Sequence, residues 1–190
     1  MANRIRAFIA IELPEAIKSR LDDCIRDISG GKRDYKWVAP ENLHITMAFL
    51  GDVDYDFLIG INEAMQTAVE ATPAFPARLG LIGTFPSVIW VGLSEGSEEC
   101  EAIYKKLKPE LRNAGFQLDN KPYHPHITIA RSRRRMDFSE KNAFECKILP
   151  KTDAFIVDRL TLFESRLRPK GPEYFPLTRV PFGGRQKNKR

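Results

Sequence analysis

Two stretches, His44-Ile45-Thr46-Met47-Ala48-Phe49-Leu50 and His126-Ile127-Thr128-Ile129-Ala130-Arg131, open with the same His-x-Thr on an apolar, β-branched run. A single shift of 82 residues lays one on the other, with Ile45, Thr46 and Ala48 falling on Ile127, Thr128 and Ala130, and Pro40 on Pro122. At the same shift residues 6–11 fall on residues 88–93, with Phe8 matched by Trp90. A unit of strand, helix and His-x-Thr strand is therefore written twice. Neither copy can bury a sheet face alone, so the two are expected to pack about an approximate two-fold axis around a shared cleft. Residues two apart in a strand share a face, so each motif sends its imidazole and hydroxyl one way and its isoleucine into the core.

Outside the motifs, residues 5–11 read as a buried strand stopping at Leu13-Pro14. Ile17, Leu21, Cys24, Ile25 and Ile28 then recur at helical spacing, with Pro14 in the first turn and Gly30-Gly31 as the stop. Residues 35–38 suggest a brief strand, and the His44 strand is expected to end at Gly51-Asp52. Phe57, Leu58, Ile61, Ala64, Met65, Ala68 and Val69 mark a second helix, closed by Thr72-Pro73. A turn at Phe85-Pro86-Ser87 leads into a strand over 88–93 and a helix along Cys100, Ile103, Leu107, Leu111 and Ala114, with Gly115 as its cap. Pro109 predicts a kink or break there. Residues 132–151 read as a basic loop, 154–164 as one long strand and 174–177 as a short strand that Pro176 keeps at an edge.

A length of 190 residues suits one globular body, and 43% hydrophobic residues with 12 Phe and 2 Trp supply its core. No apolar run approaches the roughly 18 residues of a spanning helix, and the start MANRIRAFIAIELP is too short in apolar residues for a secretory signal. A cytoplasmic protein without a membrane partner is the expectation. Cys24, Cys100 and Cys146 are odd in number, lack C-x-x-C spacing and sit in apolar patterns, which predicts reduced, core or half-buried thiols. The net charge is +5, Arg131, Arg133, Arg134 and Arg135 lie together, and the chain ends GGRQKNKR. Clustered cations favour a polyanion, while the end itself reads as a solvated basic tail over residues 185–190.

Displacement at phosphorus needs a base near the attacking oxygen and an acid near the departing one, roughly in line. Two histidines across a cleft meet that demand, because imidazole titrates near pH ~6.5 and either protonation state is accessible. His44 and His126 are thus the candidate acid–base pair. Thr46 and Thr128 can donate to non-bridging phosphate oxygens, and the Arg131 guanidinium matches two such oxygens at once. Arg131 lies three residues after Thr128, so a twist, bulge or strand end is required to bring it to the same face. A zinc site from His44, His124 and His126 is the competing reading; Pro125 between the last two and the want of an obvious fourth ligand argue against it. His124 then serves the loop or supports His126, and no metal or cofactor is expected. Phe8 and Phe49 read as core residues, with Phe8 also a candidate for stacking on a nucleobase.

The segments RAFIAIELP, ENLHITMAFLG, FPSVIWVGL, HPHITIAR and LTLFESRL, in that order, resemble the RNA 2′,3′-cyclic phosphodiesterases, also called 2′-5′ RNA ligases, of the two-histidine phosphoesterase superfamily. The resemblance covers most of the chain. It implies a bilobal α+β fold of two antiparallel sheets flanked by helices, which the repeat suggests independently, in one domain over residues 1–184. It also implies opening of an RNA 2′,3′-cyclic phosphate end to a 2′-phosphomonoester, with reverse 2′-5′ ligation as a further activity. On this reading His44 protonates the departing 3′ oxygen, His126 activates water, and Thr46, Thr128 and Arg131 hold the phosphate. The repeat alone does not distinguish the two histidines. The implied partner is an RNA with a cyclic phosphate end, tRNA fragments among the candidates, met by a monomer. Cyclic mononucleotides and 2′-5′ linked oligonucleotides remain alternative substrates, and a non-catalytic RNA-binding module using the same cleft is the alternative from a different class.

Overall fold

The first strand, β1 (Arg4–Glu12), alternates: Ile5, Ala7, Ile9 and Ile11 enter the main core, while Phe8 and Ala10 belong to a separate small cluster on the other face. This division runs through the molecule, a computed structural model that describes residues 4–30, 34–145, 154–169 and 171–183. Four helices bury their stripes in the main core: α1 (Glu15–Ser29), α2 (Leu58–Val69), α3 (Ser97–Asn113) and α4 (Phe138–Glu145). Ile17, Leu21, Ile25 and Ile28 anchor α1, which Pro14 precedes as the cap and Gly30 closes at φ 47°. Each such aliphatic side chain contributes about 1.5–3 kcal/mol on burial, which outweighs the weak intrinsic preference of these short helices.

The remaining strands are β2 (Tyr35–Trp37), β3 (His44–Asp54), β4 (Phe75–Phe85), β5 (Val88–Glu95), β6 (His126–Ser132), β7 (Phe155–Val157), β8 (Arg159–Arg168) and β9 (Gly171–Pro181). Among the described residues they pair antiparallel in the order β7-β4-β5-β6-β3-β1-β8-β9, with β2 added on β6. The α+β expectation holds, but the two sheets foreseen from the repeat are one continuous antiparallel sheet, joined where β3 pairs with β6 through Ile45 and Ile127. Those two isoleucines are the equivalent residues of the two motifs. An antiparallel pair of equivalent positions marks a local two-fold axis, and its register sets His44 across from Thr128 and Thr46 across from His126.

Both motif strands carry a bulge at the same place. In β3 the pairing with β1 steps from Ala10↔Thr46 to Ile9↔Ala48, leaving Met47 extra. In β6 the pairing with β5 steps from Trp90↔Thr128 to Ile89↔Ala130, leaving Ile129 extra. One expectation is corrected here: Thr46 faces Ala10 and Thr128 faces Trp90, so Trp90 occupies the place of Ala10, not that of Phe8. The connection from β5 to β6 is two residues longer than that from β1 to β3, and the single shift does not survive it.

Several boundaries also differ. β3 runs on to Asp54, since Gly51 at φ 72° turns the strand without ending its pairing with β1. β4 is a full strand that Pro76, Gly80 and Gly83 conceal in the sequence. The basic stretch contains α4, opened by a reciprocal cap in which the Glu140 N–H donates to Asp137 Oδ1 at 2.9 Å and the Asp137 N–H to Glu140 Oε2 at 3.0 Å. The expected long strand is two, parted at Asp158, whose carbonyl accepts the Phe182 N–H at 2.7 Å. β9 extends over eleven residues instead of four and does lie at an edge. The helix α3 runs four residues past Pro109 with Cys100, Ile103, Leu107 and Leu111 buried along one stripe, so Pro109 does not end it. Cys100 is buried and Cys24 half-buried, as expected, while Cys146 and residues 184–190 with the basic tail lie outside the described residues.

Candidate active site

His44 is the first residue of β3, reached through a 3₁₀ turn over Pro40–Asn42, and its Nδ1 lies 2.7 Å from the Asn42 carbonyl. His126 opens β6 in the same way, with Nδ1 2.7 Å from the His124 carbonyl. A carbonyl only accepts, so each ring carries its proton on Nδ1 and presents Nε2 for chemistry. Thr46 Oγ1 stands 3.0 Å from His44 Nε2 and donates to it while the ring is neutral. The equivalent strands of the two copies thus deliver two imidazoles of the same tautomer to one face of the sheet.

The bulges decide what joins them. In β6, His126 and Thr128 are half-buried, Ile127 is buried, and then Ile129 and Ala130 are both buried before Arg131 emerges exposed. One inserted residue reverses the alternation, so Arg131 returns to the face of His126 and Thr128, which a regular strand would deny it. Its charge acts on His44, His126 and Tyr174 alike. The same step in β3 brings Phe49 to the cleft face in the position equivalent to Arg131. In the first copy the Thr46 carbonyl beside the bulge accepts the Tyr123 hydroxyl at 3.0 Å, with Met47 Sδ at 3.1 Å from the same oxygen.

The aromatic expectations change accordingly. Phe8 is 3% exposed, stacked on Phe163 at 5.2 Å and flanked by Tyr174 at 4.8 Å and His44 at 4.9 Å. Its ring is a support beneath His44 and offers no open face to a nucleobase. Phe49, read from sequence as core, is 63% exposed, 6.0 Å from Phe8. On the other side Trp90 lies across Gly83, where an added Cβ would stand 2.2 Å from the indole, and it packs edge-on against His124 at 4.8 Å and 5.9 Å from His126. His124 is exposed and acts as a support of His126 through its carbonyl and ring. Among the described residues no group of three or more His, Cys, Asp or Glu side chains comes together closely enough to hold an ion.

Burial pushes His44 down to about 4, with Arg131, His126 and Lys18 adding to the fall and the Asn42 carbonyl opposing it. His126 is lowered for the same first reason, with the His124 carbonyl opposing and His124 and Arg131 assisting. Both rings are therefore neutral at pH 7, and an anion placed beside Arg131 would raise both by offsetting its charge. Sequence reading missed Asn42, whose side-chain Nδ2 donates to the Pro172 carbonyl at 3.0 Å, and Tyr174, whose ring meets His44 edge-on at 5.4 Å. Both act through the distant β9, which carries Pro172 and Tyr174 and which no local pattern signals.

The family model of the 2′-5′ RNA ligase superfamily matches residues 13–168. This chain belongs to that superfamily. The RNA 2′,3′-cyclic phosphodiesterase of Thermotoga maritima is 33% identical to it over 95% of this chain and 97% of its own. The protein of the same name from Methanocaldococcus jannaschii is 32% identical over 90% and 96%. Among solved structures, E. coli LigT complexed with 3′-AMP superposes with a TM-score of 0.76 at 25% identity, covering 95% of this chain and 99% of that one. Among the described residues no helix is long and apolar enough to cross a membrane.

Proposed function

We propose that this member of the superfamily hydrolyses the 2′,3′-cyclic phosphate end of RNA to a 2′-phosphomonoester by acid–base catalysis between His44 and His126. The observation that carries this reading is the matched pair of imidazoles, each fixed by a carbonyl at Nδ1 and each with Nε2 on one cleft face. Water attacks phosphorus as His126 Nε2 takes its proton. The bond from phosphorus to the 3′ oxygen breaks, and His44, protonated once the anion is bound, gives that oxygen its proton. Thr46, Thr128 and Arg131 hold the non-bridging oxygens, with each proton transfer worth about 10²–10⁴-fold in rate. With the 5′ hydroxyl of a second strand in place of water, the same opening leaves a 2′-5′ phosphodiester: His126 takes that hydroxyl's proton, the bond from phosphorus to the 3′ oxygen breaks, and His44 protonates the released oxygen. The identity of the named relatives and their coverage of nine-tenths or more of the chain support the RNA substrate.

The test is product analysis on a short RNA of defined sequence carrying a 2′,3′-cyclic phosphate, in the presence of a chelator. A 2′-phosphate product that disappears in both His44→Ala and His126→Ala, each still folded by circular dichroism, is expected. Full turnover by either variant overturns the mechanism, and a substrate bound tightly but left intact supports the RNA-binding module instead.

A further inference from the structure

Several described cations are matched to carboxylates: Arg4 to Asp54 at 2.9 Å, Arg166 to Glu164 at 2.8 Å and Arg179 to Glu12 at 2.8 Å. Within the basic stretch Arg134 is neutralised by Glu140 at 2.7 Å and so belongs to the fold of α4. Other described cations have no such partner, and three of these, Lys36, Arg131 and Arg133, are gathered where β2 meets β6. Lys36 pairs directly with Arg131 across the antiparallel ladder, so both exposed side chains leave the same face about 5 Å apart at Cβ. Asp34, two residues before Lys36, makes no ion pair there; its backbone carbonyl accepts the Arg133 N–H at 3.4 Å, which brings Arg133 to the same edge.

Like charges directly opposite one another on a sheet repel and destabilise it. Here the repulsion continues outward from Arg131, the group whose field reaches both catalytic imidazoles. An anion between the two side chains relieves it. Resting on the proposed reaction, we propose that Lys36, with Arg133 beyond it, forms a subsite for the phosphodiester on the 5′ side of the terminal nucleotide. The cyclic phosphate lies at the 3′ end of the strand, so the rest of the RNA leaves the site in the 5′ direction, and its first phosphate is the anion to be held. The subsite makes the protein an enzyme of strand ends in preference to cyclic mononucleotides, which lack that phosphate.

The experiment compares an oligonucleotide ended by a 2′,3′-cyclic phosphate with a nucleoside 2′,3′-cyclic phosphate lacking any 5′ phosphate, using the wild type, Lys36→Gln, Lys36→Arg and Arg133→Gln. Lys36→Gln should lower kcat/KM on the oligonucleotide about three- to fivefold at low salt, while leaving the small substrate unchanged. The slope of log kcat/KM against log salt should flatten by about 0.7 for that variant, and Lys36→Arg should keep both wild-type values. An equal loss on the two substrates, or no loss on the oligonucleotide, overturns the subsite. If the wild type opens neither substrate, the proposed reaction falls, and fluorescence anisotropy with a 2′-phosphate-ended oligonucleotide still reads the subsite: weakened binding in Lys36→Gln upholds it, unchanged binding rejects it.

Discussion

Asn42 holds His44 through its backbone carbonyl, 2.7 Å from Nδ1, while its side-chain amide is itself tied to the Pro172 carbonyl at 3.0 Å. The orientation of one imidazole therefore depends on the edge strand β9. His126 has no such tie; its supporting carbonyl belongs to His124, which rests on Trp90. Asn42→Ala keeps the carbonyl and removes the anchor, so kcat should fall about tenfold with KM little changed, and stability should fall by about 1 kcal/mol. Equal effects of this variant on kcat and KM would point to a general loosening of the cleft.

The depressed His44 fixes a pH response. Its value of about 4 in the folded chain lies below the 6.5 of an ordinary imidazole, so the unfolded state binds a proton first as the solution is acidified. The stability contributed is fully present above pH 6.5 and is lost as pH falls towards 4, about 3 kcal/mol at most. Denaturant titrations of the wild type and His44→Gln at pH 7 and pH 4.5 should show a smaller pH dependence in the variant. NMR titration of the His44 ring should give a midpoint near 4 without ligand and a higher one with a 2′-phosphate-ended nucleotide.

Phe8 and Phe49 neighbour one another and should fail differently. Phe8 is enclosed by His44, Phe163 and Tyr174, so Phe8→Ala leaves a cavity costing about 3–5 kcal/mol and frees the imidazole to tilt. Phe49 is exposed on the cleft face, where a terminal base can stack on it for about 1–3 kcal/mol. Phe49→Ala should raise KM with stability little altered, and Phe49→Trp should restore it. An unchanged KM in Phe49→Ala would remove this ring from the binding surface.

Gly83 supplies the space in which the Trp90 indole lies. With a Cβ 2.2 Å from the ring, Gly83→Ala must displace Trp90, and with it the floor beside His126. The expected outcome is a shift in tryptophan emission together with a fall in kcat of about tenfold or more, checked against Gly60→Ala, whose added Cβ meets Ala114 Cβ at an ordinary 3.7 Å. Emission and activity that both match the wild type would show that the ring is not confined.

The duplicated motif made most of this architecture readable from the chain. His-x-Thr twice, with a β-branched run behind each, placed both histidines, both threonines and the strands that carry them. What it did not carry was relative register. Phe8 and Trp90 align by counting but are not equivalent, because a connection two residues longer slides one ladder against the other. Tyr174 and the amide of Asn42 reach His44 through β9, more than 120 residues away from the motif in sequence, and only tertiary pairing reveals them. The helix α4 was hidden for a different reason. Its Asp137–Glu140 cap is a recognisable local signal, but the arginines before it drew the reading towards a solvated loop.

Ile129 touches no reacting atom, yet it sets where Arg131 points. A designer who straightened β6 by deleting that one residue would keep every polar side chain of the motif and still turn the guanidinium under the sheet, among aliphatic neighbours. Tolerance to small deletions in these two strands should accordingly be far poorer than tolerance to swaps of Met47 or Ile129 for other aliphatics. The reaction is encoded in a spacing as much as in a set of residue types.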